Sequence, residues 1–339
     1  MTARTLLIPL IVIVALLASA APTTARGQIA IGISDPKGSD LAVLQEHIDR
    51  MGGQKPGLWS LWSNWGSRGD RKGCVRGHGN CAFPLETAKE LLRQGITPVI
   101  WWQPVDPARA ARPTYSSYKR IIWRKHDAYI RAWARDLKRA SMANKGRPVV
   151  VRFAHEATGH WFPWSVGRHG NTVKNYKKAW RHIDKIFRQV GARKYTRFLW
   201  SNFVPKPKAY PGDKYVDYVG ATIMNYGKSG TEGKNGWVGL PKRVKRVAEL
   251  ARGFTKKPLF LIEVGSNHRG GNKAKWIRRG YNQVWKRFPK VKAIMYLDTD
   301  QPHKAQSHPD WRLVKPWNGS AVRAYRQVAN SWRFKGRIR

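Results

Sequence analysis

The sequence has few cysteines and few acidic residues. Its 339 residues include two cysteines, which excludes a disulfide-stapled miniprotein and a four-cysteine zinc module. Only 20 residues are Asp or Glu, against 64 that are Lys or Arg, and the formal net charge is +44. Carboxylates are scarce enough that any carboxylate at the end of an apolar strand stands out.

The sequence also lacks a hydrophobic run long enough to cross a membrane. The longest, Leu6–Ala18, has about 13 residues and would not span a bilayer core. It follows Arg4 and ends in small residues, as in a cleaved secretory signal, and a second cleavage point lies after Ala25. We therefore expect residues 1–25 to be a signal peptide and the protein to be secreted into the extracellular space, with cell-surface association left open. The alternative is an uncleaved N-terminal anchor.

The two cysteines lie close together in the sequence. Cys74 and Cys81 bracket a short segment rich in Gly and His. An oxidising compartment and an even count predict one disulfide between them. A metal site recruiting His78 would lack a clear fourth ligand, so we expect neither a metal nor a cofactor.

Short apolar runs alternate with amphipathic segments along residues 26–339. The predicted strands are Ile29–Ser34, Gly57–Trp65, Thr97–Gln103, Pro148–His155, Thr196–Asn202, Tyr218–Asn225, Pro258–Val264 and Ala293–Leu297. The predicted helices are Leu41–Met51, Pro84–Arg93, Tyr118–Met142, Val173–Gln189, Pro241–Arg252, Lys273–Phe288 and Ser320–Ser331. Gly95, just after the second of them, is typical of a glycine stop at the C-terminal end of a helix. Eight strands alternating with helices predict an α/β fold, a single (β/α)8 TIM barrel. A doubly wound open sheet is the rival, but no G-x-G-x-x-G motif follows the first strand.

Two of the seven glutamates stand at strand ends. Glu156 follows the fourth predicted strand and Glu263 lies near the end of the seventh. In a TIM barrel the chemistry is placed at the C-terminal ends of the strands, where these two ends face each other. The pair predicts glycoside hydrolysis, in which one carboxylic acid protonates the leaving oxygen and one carboxylate attacks the anomeric carbon. Alternatively, each Glu pairs with Arg or Lys at the barrel rim.

Aromatic side chains are expected around the carboxylates because sugar rings stack on them. The sequence has 17 tryptophans, more than core packing alone requires. Those at or just past strand ends are Trp101, Trp102, Trp161, Trp164 and Trp200.

The segment from Arg152 to Trp164, with His155-Glu156 and then Trp161, resembles the acid/base motif of glycoside hydrolase family 26. The segments Trp59–Trp65, Trp101–Pro104 and Trp200–Phe203, the last containing Asn202, are also similar to that family. The resemblance implies a (β/α)8 barrel of the retaining clan with glutamates after strands four and seven. Its best-known members are endo-β-1,4-mannanases, and others cleave mixed-linkage β-glucan or β-1,3-xylan.

The resemblance also implies a role for each matching residue. Glu156 would be the acid/base and Glu263 the nucleophile, while His155 would contact the sugar 2-hydroxyl and Trp161 would line the cleft. Tyr226 matches a tyrosine that hydrogen-bonds the nucleophile. We further expect Trp102, Trp164, Trp200 and Asn202 to contact substrate. A tryptophan common after strand eight is replaced by Tyr296-Leu297-Asp298, which leaves the sugar at the cleavage point open.

The remaining polar residues near strand ends have weaker functional signals. His155 has a structural alternative as a hydrogen-bonded residue, and His160 and His169 are expected to be loop residues. Asp106, Asp298 and Asp300 are expected to hold loops in preference to sugar hydroxyls. Apolar neighbours should raise the pKa of Glu156, which must be protonated to act as an acid.

Lys and Arg are scattered over the whole chain. Such scatter is typical of a solvated surface, or of loose adhesion to anionic cell-surface polymers. Export and the strand-end glutamates argue against nucleic acid as a partner. We therefore expect a secreted, monomeric, retaining endo-β-glycanase acting on a β-linked polysaccharide, most readily β-1,4-mannan. A noncatalytic carbohydrate- or polyanion-binding barrel is the alternative from another functional class.

Overall fold

The eight predicted strands form a closed barrel. The structure is a computed structural model of the chain. It describes residues 26–65, 82–105, 117–228, 236–299, 309–313 and 319–338. The strands are β1 (Ala30–Ser34), β2 (Leu58–Asn64), β3 (Thr97–Gln103), β4 (Val149–Phe153), β5 (Thr196–Asn202), β6 (Tyr218–Asn225), β7 (Leu259–Ser266) and β8 (Val291–Leu297). Each strand pairs in parallel with the next, and β8 pairs with β1. The predicted (β/α)8 fold is confirmed.

Helices follow the strands and surround the barrel. They are α1 (Leu41–Arg50), α2 (Leu85–Arg93), α3 (Tyr118–Ile122), α4 (Asp127–Met142), α5 (Val173–Gln189), α6 (Leu240–Arg252), α7 (Lys273–Arg287) and α8 (Ser320–Asn330). The single helix predicted over Tyr118–Met142 is wrong. It is divided into α3 and α4 by Arg124, whose φ of 61° lies in the left-handed region and interrupts the helical backbone.

Capping side chains and a glycine determine where several helices begin or end. Thr172 and Asn272 cap α5 and α7 by accepting hydrogen bonds from the backbone N–H groups of Asn175 and Lys275. Gly95 ends α2 with a φ of 82°, and its N–H donates to the carbonyl of Leu92. The predicted glycine stop of this helix is confirmed.

Successive residues of each strand face the barrel interior or the helices. The interior contains an apolar cluster that includes Leu58, Val99, Val150, Leu199 and Phe260, one residue from each of five strands. The other strand faces join the helices in a larger core outside the barrel. Within the described ranges, no helix is both long and apolar enough to cross a bilayer.

Gly95 and Gly253 allow a matched test of the helix ends. Gly95→Ala should lower the free energy of unfolding by about 1 kcal/mol, because an L-residue is strained in the left-handed region. Gly253 follows α6 with a φ of −70°, so Gly253→Ala should be neutral or slightly stabilising. Urea unfolding of both variants measures the difference. Equal effects would contradict the role given to Gly95.

Candidate active site

The two strand-end glutamates meet at the mouth of the barrel. Glu156 lies three residues beyond β4, Glu263 lies within β7, and both side chains are mostly buried. The hydroxyl oxygen of Thr222, on β6, lies 2.8 Å from Glu156 Oε1 and 3.1 Å from Glu263 Oε2. These two carboxylate oxygens are therefore within about 6 Å of each other, close to the separation of about 5–5.5 Å found in retaining glycosidases.

A buried arginine lies beneath the pair. The Arg152 side chain, on β4, has no exposed surface, and its Nη2 donates to Glu263 Oε2 at 3.0 Å but is 4.0 Å from Glu156 Oε1. Its Nε donates to Ser201 Oγ at 2.7 Å, and the guanidinium lies over the Trp101 ring. The glutamates thus share one interior cation, and neither is simply an exposed rim partner of Arg or Lys.

The backbone after β4 is irregular, which aims Glu156 into the mouth. Ala154 and Glu156 have φ values of 42° and 52°, in the left-handed region that non-glycine residues rarely adopt. The Ala154 N–H donates to the carbonyl of Trp102 and the Glu156 N–H to that of Ser201. Tertiary hydrogen bonds therefore hold a conformation that the local sequence disfavours. The predicted strand Pro148–His155 was too long for the same reason.

A second irregularity aims Glu263 at the same place. Ala221 pairs with Leu261 and Thr222 with Glu263, so β7 has one extra residue opposite β6. The extra residue is a β-bulge. It allows Ile262 to pack in the barrel interior while its neighbour Glu263 also points inward to Arg152. Strict alternation would have turned Glu263 toward the helices.

The two carboxylates have different surroundings. Burial, followed by the neighbouring Glu263 carboxylate, raises the pKa of Glu156, and this outweighs Arg152, Thr222 and Trp161, which lower it. Glu263 is the carboxylate in direct contact with the guanidinium. The arrangement therefore favours a proton on Glu156 and a negative charge on Glu263, as an acid and a nucleophile require.

An aromatic wall stands beside Glu156. The Trp161 indole N–H donates to Glu156 Oε2 at 3.0 Å, and 45% of Trp161 is exposed. Its ring approaches the exposed Phe203 edge-on at 6.2 Å. Sugar rings stack on such exposed aromatic faces, and the expected contact of Trp161 with substrate stays a prediction.

His155 is enclosed by aromatic rings. It is 3% exposed, and its ring contacts Trp62, Phe162 and Trp164. Burial, and then the Arg152 charge, lowers its pKa well below the usual value, so the imidazole is neutral. Within the described residues, its Nδ1 has no hydrogen-bond partner.

Four of the predicted substrate contacts are wrong because the side chains are buried. Trp102 and Trp200 have no exposed surface and pack toward the helices, against Trp133 and Phe254 respectively. Both lie on the outward face of their strands, which sequence position at a strand end does not reveal. Trp101, another of the strand-end tryptophans, is buried inside the barrel.

The other two corrected residues support the loop that carries Glu156. The Trp164 indole, 2% exposed, donates to the carbonyl of His155. Asn202 is fully buried, and its Oδ1 accepts hydrogen bonds from the Thr158 N–H and hydroxyl. These hydrogen bonds hold the loop that carries Glu156 in place.

Tyr226 does not take the role expected of it. The hydrogen bonds that Glu263 receives within the described residues come from Arg152 and Thr222. Tyr226 lies with its ring edge-on to Trp311 at 5.7 Å. It follows β6, four residues beyond the position from which Thr222 reaches both carboxylates.

Asp298 holds a loop, as predicted. Its Oδ1 accepts a hydrogen bond from the Leu313 N–H at 2.7 Å. Cys74, Cys81, Asp106, Asp300 and residues 1–25 lie outside the described residues, so the disulfide and the signal peptide stay predictions.

Sequence reasoning missed two functional side chains. Arg152 interrupts the apolar run of β4, and a charged residue within a buried strand was a usable signal. Thr222 gave none, since threonine is common in strands. The sequence also did not reveal that the Trp62 ring stacks on the Trp101 ring.

Known proteins are similar to this chain in sequence or in fold. Residues 109–297 match the family model for glycosyl hydrolase family 26. Endoglucanase H of Acetivibrio thermocellus is 33% identical over 215 residues, which are 60% of this chain and 22% of that protein. The chain therefore spans about a fifth of the length of this curated relative.

Three solved structures share the architecture. A family 26 β-mannanase from Bacteroides ovatus superposes with a TM-score of 0.64 at 17% identity, covering 92% of this chain and 91% of the other. A mannanase from Bacillus subtilis gives 0.56 at 17% identity and 88% and 85% coverage. An endo-β-mannanase/endo-β-glucanase from Prevotella bryantii gives 0.60 at 14% identity, covering 91% of this chain and 44% of the other. At these identities the likeness shows the fold.

The burial of Glu156 predicts a pH-dependent effect on stability. The pKa of Glu156 is higher in the folded protein than in the unfolded chain, where it is about 4.5. Ionisation of Glu156 therefore lowers the free energy of unfolding, and this loss begins as the pH rises above about 4.5. Glu156→Gln should therefore unfold at a higher temperature than the wild type at pH 7 and at the same temperature at pH 4. Calorimetry at both pH values measures this. A lower unfolding temperature for the variant at pH 7 would contradict the assignment.

Proposed function

Because the chain belongs to glycosyl hydrolase family 26, we propose that it is a retaining endo-β-glycanase that cleaves β-1,4-mannan. The observation that carries the retaining mechanism is the Thr222 hydroxyl in contact with both glutamates, which keeps the two facing carboxylate oxygens within about 6 Å of each other. An inverting enzyme needs roughly 6.5–9.5 Å to accommodate a water between its carboxyl groups.

Each glutamate has one role in the proposed double displacement. The Glu263 carboxylate attacks the anomeric carbon while protonated Glu156 gives its proton to the leaving glycosidic oxygen. Glu156 then removes a proton from the water that hydrolyses the glycosyl–Glu263 ester. Arg152 neutralises Glu263 between turnovers, and Trp161 orients Glu156 through its indole N–H.

The choice of mannan is supported by the mannanases with the same fold. Mixed-linkage β-glucan is the second candidate, since the curated relative is named an endoglucanase. β-1,3-xylan is a third. The exposed wall of Trp161 and Phe203 suits any of these chains, because an aromatic face stacks on pyranose rings whatever their linkage.

Polysaccharide hydrolysis tests the activity and the substrate together. The protein should release reducing ends from galactomannan and glucomannan in preference to barley β-glucan and β-1,3-xylan. Glu263→Ala should lower turnover by about three orders of magnitude or more because it removes the nucleophile. Glu156→Ala should lose activity on polymers but retain it on aryl glycosides, whose leaving groups need no proton. Reducing-sugar assays with each polymer measure these effects.

The exposed Glu249 on α6 provides a matched control, and Glu249→Ala should hydrolyse at the wild-type rate. Cleavage of barley β-glucan alone would replace mannan with the second candidate. Binding to the polymers without turnover, unchanged in Glu263→Gln, would instead identify a noncatalytic carbohydrate-binding barrel.

We also propose that the protein is secreted and adheres to anionic cell-surface polymers. A shallow depression is lined by Lys138, Arg188, Gly191, Arg193, Lys194 and Arg197. It lies beside the start of β5, at the end of the barrel opposite the glutamates. Arg188 and Arg193 are paired with the buried Asp184, whereas Lys194 is exposed to solvent. A polyanion bound there would leave the catalytic mouth open.

Salt-dependent binding to inorganic polyphosphate tests this adhesion. Neutralising Lys138, Lys194 and Arg197 to Gln should weaken binding about tenfold at low salt, because exposed charges act over a Debye length of about 10 Å at 0.1 M. The control neutralises the exposed Lys242, Lys245 and Arg246 on α6 and has the same net charge. Filter binding measures both variants, and equal weakening would show that adhesion is spread over the whole surface.

A further inference from the structure

Thr222 occupies an unusual position between the two carboxylates. Its side chain points into the barrel and is 9% exposed. Its hydroxyl oxygen is 2.8 Å from Glu156 Oε1 and 3.1 Å from Glu263 Oε2. Arg152, which also approaches both, is within hydrogen-bonding distance of Glu263 alone. Thr222 is thus the residue in the described site with hydrogen-bonding contact to both.

The number of protons limits what these two contacts can be. A hydroxyl carries one proton and can donate one strong hydrogen bond at a time. If both glutamates were ionised, one of the two contacts would place oxygen lone pairs against each other. If Glu156 carries a proton, it donates to Thr222 Oγ1, and Thr222 donates to Glu263. Both short contacts are then hydrogen bonds.

The position of Arg152 decides which glutamate is protonated. Its Nη2 is 3.0 Å from Glu263 Oε2 and 4.0 Å from Glu156 Oε1, so the negative charge is stabilised more on Glu263. Among the residues that the structure describes, the other side chains in contact with the pair are uncharged. His155 is neutral, and Trp161 from the loop after β4 and Ser201 from β5 do not titrate in this range.

We infer that Thr222 is a positioning residue whose hydroxyl reverses its hydrogen bond as the negative charge moves between the glutamates, an inference that rests on the proposed function. In the free enzyme the hydroxyl donates to ionised Glu263. When Glu263 attacks the anomeric carbon, the glycosidic bond breaks and the Glu156 proton passes to the leaving oxygen. Glu263 is then a neutral ester and Glu156 a carboxylate, so the hydroxyl turns to donate to Glu156.

The second half of the reaction reverses this change. Glu156 accepts a proton from water, the water oxygen bonds to the anomeric carbon, and the bond to Glu263 breaks. The charge returns to Glu263, and the Thr222 hydroxyl turns back to it. One side chain thereby stabilises the state before each chemical step without moving its carbon atoms.

This role predicts a change in the pH profile. Two hydrogen bonds through one hydroxyl stabilise the singly protonated pair against both the fully protonated and the fully ionised pair. Thr222→Val is nearly isosteric and removes the hydroxyl. It should move the acid limb of the kcat/KM profile to higher pH and the alkaline limb to lower pH, each by roughly half a pH unit. It should also lower kcat/KM at the optimum pH about tenfold. Thr222→Ser should restore both limbs.

A structural role alone would not move the limbs of this profile. The inference is overturned if the kcat/KM profile of Thr222→Val keeps both limbs at the wild-type pH and only its maximum is lower. It is also overturned if Thr222→Ser narrows the profile as much as Thr222→Val does. Calorimetry of both variants checks that the fold is retained, since a general loss of packing would lower the unfolding temperature instead.

A titration without turnover separates this inference from the proposed function. NMR of glutamate carboxyls labelled with ¹³C should show the two titration steps of the pair closer together in Thr222→Val than in the wild type. If no polysaccharide is cleaved but this difference appears, the proposed function fails and the hydrogen-bond bridge stands. An unchanged separation overturns the bridge even in an active enzyme.

Discussion

Arg152 places a full positive charge beside the apolar cluster inside the barrel, and the residues at the mouth are arranged around that charge. A buried cation is costly unless it is paired and hydrogen-bonded. Glu263 pairs with it at 3.0 Å, Ser201 accepts a hydrogen bond from it, and Trp101 lies under its face. One cation balances one carboxylate. Because Glu156 is the more distant of the two glutamates, it is the one for which burial favours the neutral acid.

Charge balance alone would not place the two carboxylates together. The backbone conformation at the ends of β4 and β7 sets the directions of their side chains. The left-handed residues after β4 and the bulge in β7 turn Glu156 and Glu263 toward the same hydroxyl on β6. Both irregularities are held by neighbouring strands or loops, as the Trp164 bond to the His155 carbonyl illustrates. The site therefore combines a regular barrel, which fixes distances, with two local departures that fix directions.

The sequence was informative about most features that depend on periodicity. Apolar runs and a glycine stop located the eight strands and most helices, and a scarcity of acids located both glutamates. The direction of individual side chains was less accessible. Trp102 and Trp200 have the residue type and position expected of sugar platforms, yet they face the helices. Thr222 is one of three threonines in the eight strands, and nothing in the sequence distinguishes it until the fold brings it between two carboxylates.

The same limit explains the difference between Tyr226 and Thr222. A motif in the sequence suggests which residue type should contact the nucleophile, but contact depends on where β6 enters the barrel and how β7 bulges beside it. The register shift between Ala221 and Thr222 has no signal in the local sequence. Tertiary pairing decides it, and tertiary pairing also decides that Thr222 contacts Glu263.

The proposed double displacement requires the two glutamates to be close enough for Glu263 to attack the sugar directly. Proton NMR of the first products released from a cleaved polysaccharide tests it most directly, because the anomeric configuration records the number of displacements. Double displacement predicts that the new reducing end appears first as the β-anomer, before mutarotation. An initial α-anomer would mean that water attacks in a single displacement, and it would exclude Glu263 as the nucleophile.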